Sequence, residues 1–167
     1  DIDEVVAEAG NNTKVMARAL LVSASTTDDL LAESVAAGGG LVSATGAQSN
    51  TFSDNAAIAR LGANTQVTTN SILLRAVGSQ KTDASADSYA FALGGGSGAG
   101  ASNKNYSKAN VEVGTNAVVT SQNILISAKN ELTKDRYKNA SNLLAGSASL
   151  AGLTVLTSDT EVGNSSR

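Results

Sequence analysis

The sequence predicts an all-β chain folded as a parallel β-helix, a β-solenoid built from 52-residue repeats. Three observations carry that expectation. The chain repeats itself without gaps, the apolar residues inside each repeat alternate with polar ones, and almost no aromatic residue is available to fill a wide core. There is no Pro, Cys, His or Trp, and the 167 residues hold only 3 Tyr and 2 Phe. A globular core normally draws bulk from aromatic rings. Their scarcity suits a narrow interior lined by small aliphatic side chains.

The repeat is read first because it governs every other element. The stretches VAEAGNNTKVMARALLVSA (6–24), ARLGANTQVTTNSILLRA (59–76) and VEVGTNAVVTSQNILISA (111–128) align without gaps. Gly10, Gly62 and Gly114 are spaced by 52 residues, as are Val15, Val67 and Val119, then Leu20, Ile72 and Ile124, then Ala24, Ala76 and Ala128. The repeats run approximately over 5–56, 57–108 and 109–158, and TEVGN opens a fourth at 159–167. All belong to a single solenoid segment, 1–167, whose abrupt start at Asp1 and end at Arg167 read as a piece of a longer protein.

Within the third copy Val111, Val113, Ala117, Val119, Ile124, Ile126 and Ala128 take one side, with Glu112, Val118, Thr120, Gln122 and Ser127 among their alternates. Period two with β-branched enrichment marks short strands with one buried face. Gly, Asn, Ser and Thr fill the intervals as corners. The stretch VMARALLVSA alone would suit a helix, but its counterparts VTTNSILLRA and VTSQNILISA carry Thr, Ser, Asn and Ile instead. Copies of one unit share one fold, so the strand reading holds for all. A unit of 52 residues is long for one coil, and two coils of about 26 residues, rising about 10 Å together, fit strand spacing.

The second half of the unit is glycine-rich. AESVAAGGGLVSATGAQSNTFS (32–53) aligns with ADSYAFALGGGSGAGASNKNYS (86–107) at an offset of 54, and GSASLAG (146–152) supplies the third copy. All share Gly-x-x-Ser-x-x-Gly, at Gly40, Ser43, Gly46, at Gly94, Ser97, Gly100, and at Gly146, Ser149, Gly152. These predict a second wall with small residues where the chain turns or packs closely, so bulky replacements there should disturb packing. The polar stretches 25–31, 77–85 and 129–139 differ in charge between copies and read as surface loops, the usual place for a recognition surface.

The chemistry available is narrow. The net charge of −3 is spread along the chain with no basic stripe, which excludes a nucleic-acid footprint. No apolar run reaches membrane-spanning length and no signal peptide is visible. GGGSGAG is followed by Ala101, Ser102 and Asn103 rather than the Lys and Ser/Thr of a phosphate loop. Without His or Cys, catalytic triads and most transition-metal sites are excluded. No residue is therefore assigned a catalytic, cofactor-binding or metal-binding role, no cofactor is expected, and the chain is read as a non-enzyme. Oxygen ligands for calcium exist at Asp28, Asp29, Asp83 and Asp135, which read as solvated surface. Glu8, Arg60, Glu112 and Glu161 form one outward column that reads as charge balance, with the side chains about 10 Å apart if further coils intervene. Sequons at Asn11, Asn105, Asn139 and Asn164 are numbers expected from composition.

Repeats such as IARLGANTQVTTNSILLRA followed by an Ala/Gly/Ser-rich partner resemble the repeat regions of large bacterial filamentous adhesins, the filamentous-haemagglutinin-like and leukotoxin-type surface proteins. The resemblance covers essentially the whole chain and rests on repeat style. It implies a right-handed β-helical shaft, an extracellular or bacterial cell-surface location, and attachment through partners that include host-cell or matrix receptors. It carries over no functional residue. The other expected partners are neighbouring repeats of the same chain or of identical chains, with a self-assembling filament or sheath as the second functional reading.

Overall fold

The computed structural model describes residues 2–134 and 143–166. It is all-β. Seven strands follow one another as β1 (Ile2–Ala9), β2 (Lys14–Met16), β3 (Ala19–Leu61), β4 (Gln66–Val113), β5 (Val118–Lys134), β6 (Leu143–Ala148) and β7 (Ala151–Ser166). Every pairing is parallel and all belong to one sheet, in which β4 pairs with β2, β3, β5, β6 and β7, and β1 pairs with β3. Among the described residues there is no helix.

The register is constant over long stretches. Ile2 lies beside Asp54, Ala19 beside Ser71, Leu61 beside Val113 and Thr82 beside Lys134, each a step of 52 residues. From Ala86↔Leu143 to Ala109↔Ser166 the step is 57, so five additional residues fall within the segment that includes 135–142. The described residues thus lie in successive rows, 14–61, 66–113, and 118–134 with 143–166. Hydrogen bonds from Ser53 to Asp28 and from Asn105 to Thr82 show that the outgoing and returning halves of rows one and two face one another across a shared interior.

This register corrects several expectations. Residue i pairs with i + 52, not with i + 26, so each 52-residue unit contributes one row and not two. The glycine-rich segments pair at 52, not 54: Gly40 meets Ala92, Ser43 meets Gly95 and Gly46 meets Gly98. A slip of two residues keeps every side chain on its own face of a strand, which is why the shifted alignment looks equally good. A Cβ on Gly94 would meet nothing within 4 Å, so that glycine is not a packing requirement, whereas one on Gly100 would press on Thr157 Oγ1 at 3.0 Å. The stretches 25–31 and 77–85 are not loops but lie within β3 and β4, and they point Asp28, Gln80 and Thr82 inward. Residues 135–139 of the third stretch lie outside the described residues.

The core changes character along each row. Beside the Gly10, Gly62 and Gly114 corners it is aliphatic, with Val22, Leu61, Val67, Ile72 and Leu74 packed together. At the far end it narrows to Ala47, Ala86 and Ala99. Row two is buried by its neighbours on both sides. The inward residues of row three are left open, with Ile124 and Ile126 each 55% exposed.

The corners explain the glycine column. Asn12, Asn64 and Asn116 all have φ between 55° and 58°, the left-handed region that Asn tolerates better than other non-glycine residues. They stack: the Asn64 amide donates to Asn12 Oδ1 at 3.1 Å, and Asn116 donates to Asn64 Oδ1 at 3.2 Å. A Cβ on Gly62 would sit 2.6 Å from backbone atoms of Gly10 and Asn11, and one on Gly114 would sit 2.6 Å from those of Gly62 and Ala63. Only glycine lets one corner lie that close beneath the next.

Candidate functional site

Between the aliphatic and alanine-lined ends of the core runs a polar seam. In row one Asp28 faces Ser53 and Asn55 from the opposite wall. The Ser53 hydroxyl donates to Asp28 Oδ2 at 2.6 Å, and the Asn55 amide donates to the same oxygen at 3.0 Å. In row two Gln80 lies directly beside Asp28, and its amide nitrogen donates to Ser53 Oγ and to the Tyr106 carbonyl, both at 2.8 Å. Asn105 lies beside Ser53 and donates to Thr82 Oγ1 at 2.9 Å. The Ser107 hydroxyl lies within hydrogen-bond reach of both Asn55 Oδ1 and Asn130 Oδ1, at 2.8 and 3.0 Å. Gly78 leaves the room that this Asn130 amide fills.

Sequence alone does not expose this seam. The run Ser25–Asp29 alternates like any other strand, but its inward members are polar, so composition imitates a loop. The structure sends the expected calcium ligands to different places. Asp28 is inside and 6% exposed, Asp29 is outside with Lys81 at 4.0 Å, Asp83 is buried, and Asp135 lies outside the described residues. Among the described residues no group of three or more His, Cys, Asp or Glu is close enough to hold a metal ion. Of the sequons, Asn11 is exposed and its Oδ1 accepts from the Ala63 amide at 2.6 Å, whereas Asn105 is buried and engaged inside the seam. Asn139 and the Asn164 side chain lie outside the described residues.

The outer surface carries ladders. Glu8, Arg60 and Glu112 do share a column, but the rows are adjacent, so the expected separation of about 10 Å is corrected. Arg60 Nε reaches Glu112 at 2.7 Å, and its Nη1 lies 3.9 Å from Glu8, an arrangement that raises the guanidinium pKa through its bond to Glu112. Glu161 is not in that column. It pairs with Lys104, whose Nζ lies 3.6 Å from the carboxylate, and it accepts the Tyr106 hydroxyl at 2.6 Å. Against known proteins, the chain matches no family model, no curated protein and no solved structure. The geometry must carry the reading alone.

Two further surface features complete it. A shallow groove of about 540 Å³ crosses all three rows over Gly100, edged by Gln48, Phe52, Lys104 and Asp159. Leu41, Leu93 and Leu150 are all exposed, Leu150 being 89% exposed and bonded through its amide to the Leu93 carbonyl. None of these places a nucleophile beside a base. Among the described residues no helix is long and apolar enough to cross a membrane.

Proposed function

We propose that the chain is a non-catalytic structural element, a shaft segment of a secreted bacterial surface adhesin that serves attachment, folded as a right-handed β-solenoid with one 52-residue coil per row. The observation that supports this reading is the 52-residue register that joins rows one and two along their length and rows two and three as far as Lys134, with corner, core and outer ladders continued from row to row. A repeat of this kind gains stability from each neighbour it stacks on and transmits its geometry along one axis. Each wall, roughly 20 residues long, extends about 65 Å, while each added coil raises the stack by about 4.8 Å. The shaft is therefore a broad blade whose outer faces are wide enough to present receptor-binding surface.

The location and the role are tested together on the cells that make the protein. Antibodies raised against this chain should label the cell exterior in immuno-electron microscopy, and their Fab fragments should reduce attachment to host cells or matrix. Label confined to the cell interior, or attachment unaffected by saturating Fab, rejects the adhesin reading.

The second reading, a self-assembling subunit of an extracellular filament or sheath, is favoured by the exposed apolar residues of row three. There Ile124, Ile126 and Leu156 are exposed although their counterparts in row two face inward. Electron micrographs of the purified chain showing end-to-end polymers would select it over the shaft.

A further inference from the structure

The far end of each row is free of charge. Residues 34–53, 88–103 and 143–158 include no Asp, Glu, Lys or Arg. The chain reverses inside each of these stretches. In row one Ser53 faces Asp28, the Ser49 hydroxyl donates to the Ala32 carbonyl at 2.7 Å, and a Cβ on Gly38 would sit 2.7 Å from Thr45 Cγ2. In row two Asn105 faces Thr82, and a Cβ on Gly95 would sit 3.4 Å from Ala92 Cβ. In row three Ser147 Oγ lies 3.5 Å from Thr154 Oγ1. These facing pairs are centred within one residue of Leu41, Leu93 and Leu150, so each row turns on a leucine. The register stacks the turns. Gly40 and Val42 lie beside Ala92 and Gly94, Phe91 and Gly94 lie beside Ala148 and Ala151, and the Leu150 amide donates to the Leu93 carbonyl at 3.1 Å.

The stacked turns form a narrow apolar ridge. Leu41, Leu93 and Leu150 are 76%, 58% and 89% exposed, and Val42, Phe91 and Leu153 close by in the chain are exposed as well. Exposed apolar side chains gathered in one place mark a contact with another molecule. The partner of this ridge must be apolar, need no ion pair, and close around a convex edge. A second copy does not meet those terms. Two such ridges would touch along three rows, a line of about 10 Å, and bury far less than the roughly 800 Å² per partner of a stable protein interface. Lipid tails conform to an edge of any shape, and they exclude charge, which these flanks lack. We infer that the ridge docks on a lipid bilayer, with Leu41, Leu93 and Leu150 entering the boundary between headgroups and acyl chains. Apolar area alone drives the contact, so zwitterionic lipid suffices. The inference stands on the ridge and does not depend on the chain being a shaft or a filament subunit.

Phosphatidylcholine vesicles and the 167-residue protein test it. The chain has no Trp, so Leu41→Trp supplies a single fluorescent reporter on the ridge. Its emission should shift to the blue when vesicles are added and be quenched by brominated lipid. Thr27→Trp, on the exposed outer side of β3, should do neither. In flotation the combined variant Leu41→Ser, Leu93→Ser, Leu150→Ser should lose vesicle binding by about tenfold or more, and added salt should leave wild-type binding unchanged. Circular dichroism should show that variant folded as the wild type is, since all three side chains are exposed. Where it is not folded, the two Trp reporters decide. A Leu41→Trp emission that vesicles do not move overturns the docking surface. So does an equal shift in Thr27→Trp, or a folded triple variant that floats with vesicles as the wild type does. A blue shift that follows protein concentration without vesicles assigns the ridge to a second copy and overturns it too.

Discussion

Gly10, Gly62 and Gly114 occupy equivalent corners, yet their surroundings differ in a way that measures stacking one residue at a time. A methyl group on Gly62 would collide with the backbone of Gly10 and Asn11, while on Gly10 its nearest neighbour would be Thr13 Oγ1 at 3.7 Å. Gly62→Ala should therefore cost about 1–3 kcal/mol, and Gly10→Ala should stay within about 0.5 kcal/mol, in urea unfolding. Equal costs would mean that the corners do not press on one another. The pair Tyr106 and Glu161 gives a second residue-scale prediction. Their hydrogen bond raises the tyrosine pKa and lowers that of the carboxylate. The lowered Glu161 contributes stability above the unfolded carboxylate pKa and loses it as pH falls through the folded value. The raised Tyr106 contributes below the unfolded tyrosine pKa and loses it as pH rises through the folded value. In an ultraviolet titration Glu161→Gln should move the Tyr106 ionisation to lower pH. A titration curve that the substitution leaves unchanged would remove the bond.

At the scale of elements, β4 is the strand on which stability concentrates, since β3 covers one edge and β5, β6 and β7 cover the other. Leu74 in β4 is 1% exposed, whereas Ile126, beside it in β5, is 55% exposed. Leu74→Ala should cost about 2–4 kcal/mol and Ile126→Ala less than about 1 kcal/mol, read from denaturant midpoints. Similar losses at both positions would show that row three is covered in solution. The same strands show what the sequence made legible. Period two, the corner glycines and the columns Val15–Val67 and Leu20–Ile72 all survive in the pairing, because apolar residues at a corner-anchored register leave an alignment with no competing slip. The glycine-rich half was misaligned by two residues because Gly, Ala and Ser look alike at any even offset. The seam was hidden for a different reason. Inward Thr26, Asp28, Gln80 and Asn105 satisfy strand alternation with polar atoms, and hydropathy sees only a polar stretch. The repeated Asn at the third corner position was available as a signal, since a left-handed residue kept as Asn in three copies implies both a turn and a ladder.

For the molecule as a whole, the decisive feature is that each row is laid on the one before it in the same parallel direction, so that row three can accept a further row. Among the described residues β5, β6 and β7 are paired only with β4, and Ile124, Ile126 and Leu156, beside the buried Ile72, Leu74 and Ala99, are exposed. An exposed parallel edge with an apolar lining favours pairing with another chain, and natural proteins block such edges with charge. Row one offers a complementary surface, because among the described residues β1 pairs with β3 only over Asp54–Leu61. The corner ladder has matching polarity, as Asn12 retains an amide donor at one end and Asn116 an acceptor at the other. Head-to-tail association should consequently grow with protein concentration in sedimentation velocity. Ile126→Lys should suppress it while leaving the denaturant midpoint nearly unchanged, since that side chain is half exposed before any partner arrives. A chain that stays monomeric over a hundredfold range of concentration, or an Ile126→Lys variant that associates as readily as the wild type, would show that this end is not the joining surface. The filament reading would then lose its structural support, leaving the shaft reading as the one to pursue.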